Sequence, residues 1–145
     1  MAGLLHDAGK PLVGSLLIDI EQQLIRAGKR TLLSDAAWLS TVDATHRAAG
    51  SAVAKSWKLA HPVSEAIEHC GAYDAAGGRS LRNIVRFSSA LARRLGLTVG
   101  TSLPAKAEPA CAEGRAVLKI DDAMMRHLTH GFKERAVMLA GIRGQ

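Results

Sequence analysis

Gly3-Leu4-Leu5-His6-Asp7-Ala8-Gly9-Lys10 places a histidine directly before an aspartate, at the end of an apolar stretch. A neutral imidazole beside a carboxylate suits Mn, Fe, Zn or Mg, and a carboxylate can bridge two ions. The same pair also reads as a hydrogen-bonded unit that fixes a helix end, with no metal. Gly9 stands where a helix would stop, Lys10 closes the motif with a cation, and Pro11 suits the first turn of a following helix.

The elements that must position this motif are helical. From Pro11 to Ala27, Leu12, Leu16, Ile20 and Leu24 recur every four residues, with Val13, Leu17 and Ile25 beside them, and Gly28 ends the run. Ser34-Asp35 caps a short apolar stretch around Trp38 and Leu39. Asp43 or Thr45 then caps a helix carrying His46, Ala49, Val53 and Trp57, in which Gly50 implies a close backbone contact. His61-Pro62 opens a short helix through Ile67, His69 and Cys70, ended by Gly71. Asp74 to Ser80 reads as an exposed loop. Leu81, Ile84, Val85, Leu91 and Leu95 stripe a helix stopped by Gly96, with Arg79, Arg82, Arg86 and Arg93 on another face. Gly100 to Gly114 has no periodicity, and Asp121-Asp122 caps a last helix through Met124, Met125, Leu128 and Phe132. Val117 to Ile120 allows a short extended piece without a partner strand. The expected fold is all-α, a bundle of about five to six helices: core helices over 1–98, a loop over 99–116 and a C-terminal helix over 117–145.

Composition sets bounds on function. With 145 residues the chain suffices for one domain and one core. Only five residues are aromatic, and alanine and leucine dominate, which favours close helix packing. No segment approaches the roughly 20 apolar residues of a membrane span, and the opening residues lack the pattern of a secretory signal. Cys70 and Cys111 form no Cys-x-x-Cys pair, so a reducing cytoplasm is the default. The net charge of +6 either solvates a helical protein or marks a surface for phosphate or an acidic partner, and no run of five cations appears. Nucleic acid is a poor candidate, because stacking aromatics are nearly absent.

The motif Leu4-Leu5-His6-Asp7-x-Gly9-Lys10 resembles the signature of the HD superfamily, known for metal-dependent phosphohydrolases. Further segments resemble one branch of it, the HDOD domain of bacterial signalling proteins. These are His46 to Gly50, Trp57-Lys58-Leu59, Ala66-Ile67-Glu68-His69-Cys70 and Leu91-Ala92-Arg93-Arg94-Leu95-Gly96-Leu97. Their order and spacing span nearly the whole chain, yet cover only the later part of such a domain.

Carried over position by position, the resemblance implies His6, Asp7, His46 and His69 as metal ligands, with Cys70 as a further donor. In a hydrolase Asp7 would bridge or position the nucleophilic water, and Lys10 or an arginine would take the phosphate charge. Several departures weigh against catalysis. No upstream histidine precedes the motif, Cys70 replaces the second of a paired histidine, and Ser88-Ser89 stand where the family places an aspartate. Tyr73 also lacks the proline of a Gly-Tyr-Pro element. Four donors suffice for one divalent ion at most, or for none.

The expectation is therefore a non-catalytic regulatory or interaction module of bacterial signalling, acting in the cytoplasm. The alternatives are a metal-dependent phosphodiesterase and a basic, polyanion-binding surface without chemistry. Because the chain begins at the motif, an exposed apolar patch is expected. With it come self-association or a protein partner, and a phosphate-containing ligand is the small-molecule candidate.

Overall fold

The computed structural model describes residues 1–29, 33–97 and 107–141. The fold is all-α, with no strand among the described residues. A single turn, α1 (Ala2–Leu5), precedes α2 (Gly9–Arg26), α3 (Asp35–Ser56), α4 (His61–His69), α5 (Leu81–Arg94), α6 (Glu108–Val117) and α7 (Asp122–Gly141). The chain divides into two compact units, Met1–Gly71 and Ala72–Gln145.

In the first unit α3 is the organising helix. The Ser34 hydroxyl accepts from Ala37 N–H at 3.3 Å and caps its start. The helix then runs unbroken through the stretch around Trp38 and Leu39. A separate helix starting at Asp43 or Thr45 is therefore not formed, because nothing at 39–45 breaks helical propensity. Val42, His46, Gly50 and Ala54 are buried at four-residue intervals and form its inner seam.

Helix α2 packs on this seam with Gly9, Val13 and Gly14 buried. Gly9 begins α2 and does not stop a helix. A Cβ there would lie 1.8 Å from the His46 carbonyl oxygen, so only glycine permits this crossing. Gly50 supplies the other half of the close approach: its own added Cβ would lie 3.5 Å from Gly9 N and 3.1 Å from Ile67 Cγ2. The stripe Leu12, Leu16 and Ile20 faces outward, at 40%, 59% and 51% exposure. The small residues Gly9 and Gly14 select the buried face: Gly9 admits the α3 backbone, and Gly14 makes room for the Trp38 ring, 3.3 Å from where its Cβ would lie. Gly28, with φ +71°, ends α2 as expected.

The second unit is centred on buried Phe87, Ala90, Leu91, Cys111, Leu118 and Met125, with Tyr73, Leu95, Leu128 and Phe132 packed against them. Val85 and Leu91 of the expected stripe are buried and Leu95 is half-buried, whereas Leu81 and Ile84 are exposed; Asn83, Phe87 and Ala90 complete the buried face. The 74–80 segment is organised by fully buried Asn83. Its amide oxygen accepts from Asp74 N–H at 2.8 Å, and its NH2 donates to the Asp74 and Gly78 carbonyls at 2.8 Å each.

Of the stretch expected as a loop over 99–116, residues 99–106 lie outside the described ones, and 108–116 belong to α6. Pro109 occupies the first turn, where a missing N–H costs nothing, so it starts this helix. Val117 closes α6, and Lys119 at φ 53° makes the turn in place of an extended piece. Asp121 caps α7 by accepting from Met124 N–H at 2.7 Å. The last residues of the expected C-terminal helix, 142–145, lie outside the described ones.

Candidate functional site

The His6-Asp7 pair sits in the turn between α1 and α2, and the Gly9 crossing carries that turn onto His46 of α3. His6 Nδ1 donates to the Gly3 carbonyl at 2.8 Å, leaving Nε2 3.5 Å from Asp7 Oδ2. His46 is 5% exposed, and its Nδ1 lies 3.0 Å from both the Val42 and Asp43 carbonyls. A carbonyl can only accept, so Nδ1 carries the proton and Nε2 faces Asp7 Oδ1 at 3.8 Å. Both rings are thus oriented by backbone carbonyls, as ligating histidines usually are.

Two cations complete the cluster. Lys10 Nζ donates to Asp7 Oδ2 at 2.8 Å, one helical turn along. Arg47 Nη1 approaches His46 Nε2 at 3.5 Å, and its guanidinium lies against Gly71, where an added Cβ would meet Nε at 3.0 Å. Burial pushes the Asp7 carboxyl up. The Lys10 hydrogen bond and the charges of His6, Lys10 and His46 outweigh this and hold it below the ordinary carboxylate range.

The structure therefore brings His6, Asp7, Lys10 and His46 together, as their types suggested. His69 and Cys70 have other surroundings. His69 is an exposed residue in the last turn of α4, beside Glu68, whose carboxyl is held low by the Ser51 hydrogen bond and Lys55 and least by His69. Cys70 is buried, its thiol 3.6 Å from the Ile67 carbonyl. Sequence reasoning missed Arg47, whose only signal was its place beside His46. It also missed Ser51, which donates to Glu68 Oε2 at 2.8 Å next to the Lys55–Glu68 ion pair.

One family comparison bears on these residues. The model of the HDOD domain matches residues 1–73, just over half of the 145. The chain belongs to the HDOD domain family. No curated protein and no solved structure matches it. The HDOD match takes in His6, Asp7, His46 and His69 and ends two residues past the first compact unit. The Leu91–Leu97 segment lies beyond it.

An HD-type metal centre requires several His and Asp donors converging on one point. Among the described residues no group of three or more His, Cys, Asp or Glu is set to hold a metal ion. The Lys10 ammonium is bonded to Asp7 where an ion would be ligated. The donor set of this HDOD domain does not fit a bound ion in this arrangement. What it forms is a carboxylate neutralised by an ammonium and wedged between two imidazoles.

Proposed function

We propose that this HDOD domain is a regulatory, protein-interaction module of bacterial signalling that acts in the cytoplasm without hydrolysing phosphoesters. The observation that carries this reading is the bond from Lys10 Nζ to Asp7 Oδ2. A lysine ammonium supplies the positive charge the carboxylate needs, so Asp7 is satisfied within the α1–α2 turn as part of a structural knot that lies against His46 of α3. A knot of this kind keeps the family's packing while losing its chemistry. No described helix is long and apolar enough to cross a membrane.

One atom favours a second reading, a divalent ion (Fe, Mn, Zn or Mg) held by His6, Asp7 and His46, with His69, the fourth ligand the family resemblance implies, brought in from the end of α4. His6 Nε2 is buried without a hydrogen-bond partner, as a nitrogen left for a ligand would be. Hydrolysis of a generic aryl phosphodiester in excess Mn or Mg separates the two. The regulatory reading predicts the same background rate for wild type and Asp7→Asn. A wild-type rate that falls a hundredfold or more in Asp7→Asn would establish the hydrolase, since a metal-bridging carboxylate is worth several kcal/mol.

A further inference from the structure

The net charge of this chain is unevenly placed. Residues 1–71 carry seven Lys and Arg against seven Asp and Glu, whereas residues 72–145 carry twelve against six, so the whole +6 lies in the second unit. Within that unit α5 and α7 border an open groove of about 400 Å³. Its walls carry Arg94 from the last turn of α5 and Arg126, Thr129, His130 and Lys133 from one face of α7, with buried Met125 as an apolar floor. The α7 residues recur at i, i+3, i+4 and i+7, the spacing that keeps side chains on one side of a helix.

We infer that this groove binds a small phosphoryl-bearing molecule. Two guanidiniums, an ammonium and a hydroxyl are the donors a phosphoryl group takes, and a planar guanidinium can donate to two of its oxygens at once. The bordering acids cancel only part of this charge, and Arg126 and Lys133 carry the rest. Asp122, the one carboxylate on the wall, is paired with Arg115 outside it. Glu108 holds Arg94 Nε at 2.7 Å, which orders that side chain at the groove's edge. His130 Nε2 is 3.1 Å from Glu134 Oε1. The volume falls in the range of small-ligand clefts, and the Met125 floor suits an organic ester. Three of the four arginines of the earlier helix face are otherwise engaged. Arg79 and Arg82 donate to the Leu118 and Ala72 carbonyls, and Arg86 stacks on the Tyr73 ring at 4.8 Å.

The inference is independent of the Asp7 site and is tested by calorimetric titration of the full chain with ADP and with inorganic phosphate at low salt. Arg126→Gln and Lys133→Gln should each weaken binding about tenfold, the worth of one charge-assisted hydrogen bond. Arg26→Gln, on α2, should leave it unchanged, with helicity compared by circular dichroism throughout. Tighter binding of ADP marks a phosphate ester as the occupant, and equal affinity marks free phosphate. The inference fails if neither probe binds. It also fails if both groove variants bind like wild type, or if duplex DNA binds more tightly than ADP with a steep salt dependence.

Discussion

Asp7 and Tyr73 show how a single side chain decides what its surroundings can do. At Asp7 a carboxylate bonded to one ammonium lies beside two imidazoles, and the cluster brings two segments of chain together. Lys10 was legible as the cation closing a motif; its bond to Asp7 was not, because a family motif records residue types and not which donor reaches which oxygen. Tyr73 was legible only as a tyrosine lacking a following proline. In the structure its hydroxyl donates to the Ala110 carbonyl at 2.7 Å and blocks any side chain at Gly114, where an added Cβ would lie 2.1 Å from Oη. Burial pushes the phenol up to about 12, with Cys111 and Glu113 adding to the rise and Arg86 opposing it. Since the folded value is raised, Tyr73's contribution to stability is complete below pH 10 and is lost as pH rises from there towards about 12. Tyr73 is the only tyrosine in the chain, so phenolate absorbance reports it alone. A midpoint near 12 is expected; one at the ordinary value of 10.0 would show the ring to be free of this packing.

At the scale of elements, the crossing of α2 over α3 controls the site, because Gly9 and Gly50 let the His6-Asp7 turn reach His46. Gly9→Ala should lower stability by roughly 3 kcal/mol, since the new methyl meets backbone that cannot yield. It should also separate Asp7 from His46. Thermal melting checks the first point, and an unchanged melting temperature would contradict the packing described. Helix ends and turns were largely readable: Gly28 and Gly96 hold positive φ at the ends of α2 and α5, and Pro62 opens α4. Faces were less so. The four-residue repeat of Leu12, Leu16 and Ile20 was plain, but apolar residues surround α2, and periodicity cannot say which side meets a neighbour. Lys58 and Lys119, at φ 53° each, end α3 and α6 in a conformation that lysine gives no reason to expect. Buried Asn83 was equally silent, because an amide's value depends on three carbonyl and N–H partners that the fold brings to it.

For the whole molecule, the family match and the first compact unit nearly coincide, while the basic second unit lies almost entirely outside the match. The outward stripe on α2, together with Leu4 of α1 at 86% and Ile25 at 57% exposure, leaves several large apolar side chains exposed near one another in sequence. Sedimentation should therefore reveal concentration-dependent association that Leu16→Gln/Ile20→Gln reduces, and a strict monomer at high concentration would contradict this. The central claim concerns the charge at Asp7, where Lys10 stands in the place of an ion. The most direct test is elemental analysis of untagged protein purified without chelator, wild type beside His6→Ala/Asp7→Ala. The account predicts far less than one equivalent of Fe, Mn or Zn in both. A near-stoichiometric metal in wild type that disappears in the double variant would contradict it and make the chain a metal-binding HD protein.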